Sequence, residues 1–184
     1  MDSAVELWLV RHGETVWNAA GLVCGWSDVP LTARGQGQAR SLRSRLTGQV
    51  FDSVWSSDLC RAVETAQLAY GAPRVDARLR ELHFGQIEGV PWETLDPLHR
   101  NALLEFEGFR APDGESTHDF SVRVFELLNL LSPGRHLLFV HAGLVRLVLR
   151  AVGNDEFLPP SSIAALEWTT RRLLFLEQGP PSPG

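Results

Sequence analysis

The 184-residue chain contains no lysine; all 17 of its basic residues are arginine. That absence excludes whole classes of chemistry: there is no P-loop lysine, no Schiff-base lysine for pyridoxal phosphate and no kinase strand lysine. It also makes arginine the default cation, so a lone arginine says little about phosphate. Cysteine is scarce too. Cys24 and Cys60 are the only two, too few for a disulfide framework, and a reducing cytoplasm is the expected setting. The N-terminus lacks a basic segment followed by a long apolar run, so no signal peptide is expected. No apolar stretch approaches the length of a transmembrane helix. With 22 acidic residues the net charge is −5, which argues against a nucleic-acid surface. Neither a membrane nor a nucleic acid is an expected partner. Hydrophobic residues at 44% and charged residues at 21% are ordinary for a globular protein, and the length fits one domain with a proper core.

What is present is an alternation of strands and helices. "VELWLV" (5–10) reads as a central, buried strand. "LTARGQGQARSLRSRL" (31–46) reads as a helix with Thr32 as N-cap. "FDSVWSS" (51–57) is a second strand. The helix over 57–70 is expected to be capped by Ser57 or Asp58 and to bury Leu59, Val63, Ala66 and Tyr70. "PRVDARL" holds a weak third strand. Residues 85–115 mix glycine, proline and aromatics with a short helical piece and have no place in a sheet. An amphipathic helix (116–131), a buried strand "HLLFV" (136–140) and a helix closed by Gly153 follow. "IAALEW" and "RRLLFLEQ" form two closing strands. Residues 1–178 are expected to form one domain and 179–184 a disordered tail. The pattern is that of an α/β fold, a mostly parallel sheet with helices on both faces. Ligands in such folds bind beyond the carboxyl ends of the strands. Two strands end alike: one runs into Arg11-His12-Gly13, the other into His141-Ala142-Gly143. Both histidines should reach one edge of the sheet, with Gly13 allowing a substrate close to the backbone.

A metal site is not expected. There is no H-E-x-x-H, no C-x-x-C and no aspartate at short spacing from either histidine, and Arg11 would repel a divalent cation. A cysteine phosphatase needs an arginine six positions after its cysteine; Pro30 follows Cys24 at that distance and Ala66 follows Cys60. An aspartyl-phosphate enzyme needs paired aspartates directly after a strand, and no strand ends so.

"LVRHGETVWN", "SSDLCRAVETA", "LRELHFGQIEG" and "FVHAGLVR", in this order, resemble the histidine phosphatase superfamily, the phosphoglycerate mutase-like family. The closest likeness is to small bacterial α-ribazole phosphatase-like and phosphoglycerate mutase-like proteins. The resemblance implies a three-layer sandwich in which 85–115 is a lid or specificity segment. It also implies metal-independent, cofactor-free hydrolysis of a small phosphomonoester through a phosphohistidine, by a monomer or homodimer. His12 is implied as nucleophile, and Arg11, Arg61 and His141 as the clamp on the phosphoryl oxygens. Glu81 is implied as the general acid. On bare residues alone it would read as a surface carboxylate paired with Arg78 or Arg80. Asn18, Cys24, Gly25 and Ala142 resemble the substrate-lining positions, with a backbone N–H at Gly25 available to phosphate. Trp26 either walls the pocket or packs under the loop. Glu14 and Glu88 read as structural, and His83, His99 and His118 as surface or lid residues. Mutases of this family place an arginine directly after the acid glutamate and an arginine pair in a long insertion. Here Leu82 follows Glu81, and the 85–115 segment offers only Arg100 and Arg110. Hydrolysis is therefore expected over 2,3-bisphosphoglycerate-dependent mutase activity, and a non-catalytic phosphate-binding module least of all.

Overall fold

In the computed structural model, residues 4–180 are described. β1 (Val5–Arg11) is followed by α1 (Val16–Ala19), a single turn closed by reciprocal bonds between Thr15 and Asn18. The helix expected over 31–46 is two, α2 (Ala33–Ser41) and α3 (Arg43–Leu46). Thr32 caps the first as expected, through the N–H of Gly35. The break falls where the Ser41 hydroxyl donates to the Gln38 carbonyl, a local bond that competes with the helical ladder. β2 (Ser53–Ser56), α4 (Cys60–Ala69) and the two-residue β3 (Arg74–Val75) come next. The segment from 85 to 115 contributes no strand; its only regular helix is α5 (Pro97–Glu105), started by Asp96 as cap and Pro97 at the first position. α6 (Thr117–Leu130), with a Ser116–Asp119 capping box, leads to β4 (Gly134–Val140) and α7 (Ala142–Ala151). β5 (Ile163–Glu167) and β6 (Arg172–Glu177) close the fold.

The strands form one sheet in the order β3-β2-β4-β1-β5-β6. The pairs β1–β4, β2–β4 and β2–β3 are parallel, while β5 runs antiparallel to both β1 and β6. Period-two alternation divides the core into two halves. Leu7 and Leu9 of β1, Leu138 and Val140 of β4, and Ala164 and Leu166 of β5 pack with α6 and α7. Trp8, Val10, Leu137, Phe139, Ile163 and Ala165 face the other way, toward Leu42, Leu46, Ala66 and Ala69 of the α2–α4 layer. This is a three-layer sandwich. Each fully buried leucine contributes about 1.5–3 kcal/mol to holding it.

The chain after β1 goes to one face and the chain after β4 to the other. A crevice therefore opens between the carboxyl ends of these two adjacent strands, the switch point at which ligands bind in open α/β sheets. At the far end, Gly179 donates its N–H to the Ser162 hydroxyl, so the chain is held at the start of its expected tail. Residues 181–184 of that tail lie outside the described residues.

Candidate active site

The pairing of β1 with β4 sets Arg11 opposite Val140, so the next residues on each strand, His12 and His141, come out side by side. Their rings meet edge to face with centroids 5.1 Å apart. Both are buried, His141 completely. His12 Nδ1 lies 2.7 Å from the Gly13 carbonyl, and its Nε2 lies 3.3 Å from the Arg61 Nε–H. A carbonyl can only accept and a guanidinium can only donate. The network therefore assigns the proton to Nδ1 and the lone pair to Nε2. Burial and the two flanking guanidiniums hold His12 well below the usual histidine pKa, so the ring is neutral and its Nε2 nucleophilic. His141 is pushed the same way by burial and by Arg61, and neither of its ring nitrogens has a partner.

Gly13 does not admit a substrate as the sequence suggested. A Cβ there would stand 2.3 Å from the Gly35 carbonyl oxygen of α2. The glycine exists so that α2 can lie against the strand end. Its N–H is held by Thr65 Oγ1, whose own proton goes to the Arg61 carbonyl one helical turn earlier.

Arg11 donates to the Leu158 carbonyl at 2.5 Å, and its Nε has no partner. Burial lowers its pKa to about 10, which leaves it charged at neutral pH. Arg61, fully buried on α4, spends one N–H of each terminal nitrogen on the carbonyls of Ser27 (3.0 Å) and Gly25 (2.6 Å). The expected cap of α4 is displaced. Arg80 pairs with the Asp58 carboxylate, and Asp28 from the preceding loop accepts the Cys60 N–H at 2.7 Å in its place. Of the expected buried side, Leu59 and Ala66 are buried, but Val63 is only partly so and Tyr70 is 39% exposed; Arg61, Ala62, Thr65 and Ala69 face inward with them. The helix is rotated by what Arg61 must reach.

Glu81 is not a surface carboxylate. Arg78 and Arg80 pair with Asp76 and Asp58 instead. Flanked by the fully buried Leu79 and Leu82, Glu81 is turned inward, where it accepts the N–H groups of Leu82 (3.0 Å) and Gly143 (2.8 Å). Those two bonds favour the carboxylate, yet burial outweighs them and raises the pKa, so the protonated form is accessible. The backbone of this segment is held by a residue that sequence reading passed over. Arg123, on the buried stripe of α6 between Phe120 and Val124, donates to the carbonyls of Arg78 (2.7 Å), Arg80 (3.0 Å) and Glu81 (3.2 Å). Its charge is balanced by Glu115. A cation on an apolar helical stripe was the available signal. Trp26 packs under the loop, its indole N–H on the Glu81 carbonyl at 2.8 Å. Glu88 receives the N–H groups of Trp26, Ser27 and Phe84, and Glu14 pairs with Thr32 and Arg34; both serve the loop architecture.

A cavity of about 420 Å³ opens on this group. Arg11, His12, Asn18, Cys24, Glu81 and Ala142 line it; Arg61, His141 and Gly25 lie directly behind. Asn18 spends its side-chain oxygen on the Thr15 N–H, which leaves its amide N–H groups for a ligand. Burial raises the Cys24 thiol, which is therefore uncharged. Gly25 contributes its carbonyl to Arg61, and a Cβ there would stand 2.5 Å from both Leu82 O and Glu88 Oε1. Among the described residues, no three histidine, cysteine or acidic side chains are grouped to hold a metal, and no helix is long and apolar enough to cross a membrane.

Known proteins share this fold. A probable phosphoglycerate mutase GpmB of Yersinia enterocolitica is 41% identical over 128 residues, 65% of this chain and 60% of that protein. The chain thus spans about 60% of the length of the curated relatives it matches. The crystal structure of a phosphoglycerate mutase from Thermus thermophilus superposes with a TM-score of 0.88 at 51% identity, covering 94% of this chain and 98% of that one. That of a putative α-ribazole-5′-P phosphatase from Escherichia coli does so with a TM-score of 0.80 at 28% identity, covering 98% of each. The sequence model of the histidine phosphatase superfamily (branch 1) matches residues 7–175, from the first strand to the last, and the chain belongs to that superfamily.

Proposed function

We propose that the protein is a metal-independent phosphomonoester hydrolase working through a phosphohistidine on His12 Nε2. The observation that carries this reading is the His12 hydrogen-bond pattern: Nδ1 lies on the Gly13 carbonyl, which assigns it the proton, and Nε2 faces the Arg61 guanidinium on a ring that lines the cavity. Arg11 Nε and the ring nitrogens of His141, whose ring packs against His12, are buried without partners. Unpaired buried donors are costly, and the Arg11 Nε–H and the one N–H of the neutral His141 ring would be satisfied by an anion bound there. A phosphoryl group would take N–H donors from Arg11, from the two remaining Arg61 hydrogens, from Asn18 and from His141. Arg61 Nε would give up the His12 lone pair for a phosphoryl oxygen as the substrate enters. Nε2 then forms the bond to phosphorus while the bond to the ester oxygen breaks, and Glu81 gives its proton to that oxygen. In the second step Glu81 takes a proton from water, the water oxygen bonds to phosphorus, and His12 leaves. Fixed positive charge around the spreading negative charge supplies the main stabilisation.

The relatives' names favour a second reading, phosphoglycerate mutase. Against it, Leu82 follows Glu81. Arg110 pairs with Asp119 on the surface, and Arg100 reaches only the Glu93 carbonyl; neither lines the cavity. Quenching in alkaline denaturant during turnover tests the proposal. It should yield an alkali-stable, acid-labile phosphohistidine that a folded His12→Ala protein does not form. Turnover should survive EDTA and be inhibited by vanadate. Normal turnover by His12→Ala would end this reading.

A further inference from the structure

Away from the phosphate end, the cavity changes character. Leu22, Phe84, Trp92, Leu103, Leu104 and Phe106 wall it. Phe157, 65% exposed, stands at the mouth with its ring 5.0 Å from the Arg11 guanidinium. Among the residues lining this end the one cation is Arg146, whose charge is offset by Asp155 and which keeps a single Nη1 hydrogen without an assigned acceptor. Its Nε donates to Asp155 at 2.6 Å, while its terminal nitrogens donate to the carbonyls of Leu103 (3.1 Å) and Leu104 (2.6 Å). Its upper face carries the Phe106 ring at 5.2 Å. An adjoining cleft of about 530 Å³ shares Arg11, Asn18 and Phe157 but adds two carboxylates, Glu14 and Glu93. A substrate with a second negative charge would thus meet apolar wall and an already ion-paired guanidinium in one direction, and like charge in the other. Desolvating that charge without a partner is unfavourable, whereas an apolar group gains by leaving water.

We propose that the site takes phosphomonoesters of bulky, uncharged, ring-bearing alcohols and discriminates against monoesters that carry a second anionic group. This rests on the phosphomonoester reading above. The test compares 2-(1-naphthyl)ethyl phosphate, glycerol 2-phosphate and 3-phosphoglycerate by phosphate release, choosing esters of alkoxide leaving groups so that chemistry does not mask binding. In parallel, calorimetry compares 1-naphthylmethylphosphonate with methylphosphonate, neither of which can be hydrolysed. The naphthyl ester should exceed both others in kcat/KM by about 10²-fold, since a single apolar contact is worth about 10–200-fold in a fitted pocket. Phe157→Ala with Leu104→Ala, both at exposed positions, should cut that ratio by about tenfold. Hydrolysis without preference, or in favour of 3-phosphoglycerate, overturns the inference and leaves the phosphatase reading standing. No hydrolysis and no phosphohistidine, but tighter binding of the naphthyl phosphonate, overturns the phosphatase reading and keeps the ligand class. Equal phosphonate affinities without hydrolysis overturn both.

Discussion

The two ends of the cavity are built on opposite plans. At the phosphate end, each functional side chain sits at the end of a strand, on α4 or between buried anchors, and its backbone and side chain are held several times over. His12 is fixed by Gly13 and Arg61, Arg61 by two carbonyls, and Glu81 by two N–H groups and by Arg123 behind it. At the other end, the wall comes from α5 and its flanking loops. Leu98 and Leu104 of α5 are 77% and 55% exposed, and Phe106 closes the helix in the left-handed conformation at φ 55°. On the proposed function, one end is preorganised for a charge distribution that does not vary among phosphate esters. The other supplies apolar area that can be exchanged without disturbing the first. In that proposed function chemistry is thus placed on rigid elements and selectivity on a loop, as expected where a scaffold positions variable segments.

Three substitutions probe this division, beginning with the largest effect. Glu81→Gln should slow phosphorylation of His12 by about 10²–10⁴-fold for an alkyl monoester and far less for p-nitrophenyl phosphate, whose leaving group needs little protonation. Single-turnover kinetics isolates the step. The wild-type rate with the alkyl ester should fall as pH rises through the Glu81 pKa, which burial places above the usual carboxylate range, and the Gln variant should lack that limb. The acid limb should lie well below 6.5, because His12 resists protonation. Equal loss for both esters would make Glu81 a positioning residue.

Gly143→Ala comes next. The added Cβ would stand 2.4 Å from Glu81 Oε1, so the carboxyl must shift while the phosphate clamp stays. A displacement of this size is worth about 10²-fold in rate, with about 1–3 kcal/mol of overpacking in thermal unfolding. Wild-type kinetics would mean that Glu81 is not held where the two N–H groups place it. The smallest effect belongs to the exposed end. Asp155→Asn removes the partner of Arg146 and should change stability by less than about 1 kcal/mol, the usual worth of a surface ion pair. With its charge no longer offset, Arg146 should improve activity on 3-phosphoglycerate by up to about fivefold and leave the naphthyl ester unchanged. No change in that ratio would show that Arg146 does not report on substrate charge.

The same division governs what could be read from the sequence. β1 and β4 are apolar runs stopping at basic residues, and local pattern is enough to place His12 and His141 on one edge. The superfamily motifs then supply Arg61 and Glu81, for which local pattern favours the surface. The contacts that hold those groups are long-range and leave no periodic mark. Asp28 caps α4 across 32 positions, Glu88 gathers N–H groups from a loop 61 and 62 positions away, and Arg123 reaches back 42 to 45. The two-sided core follows from the α/β pattern; the strand order does not. The inward face of α4 does not, because a buried arginine reverses what hydropathy says about a helix.

The contact between α2 and the end of β1 has a consequence for sequence freedom. A side chain on Gly13 would meet the backbone of Gly35, and one on Gly35 would stand 2.0 Å from the Glu14 carbonyl oxygen. Each obstacle is main chain rather than a side chain, so no second substitution can make room for the first. In a saturation library the two positions should be barren independently, and paired changes should not rescue either. The glycine of the Arg-His-Gly tripeptide, which stands among residues of the reaction, is thereby set by the approach of a helix. An enzyme rebuilt on this sheet with different chemistry at position 12 would still have to keep it.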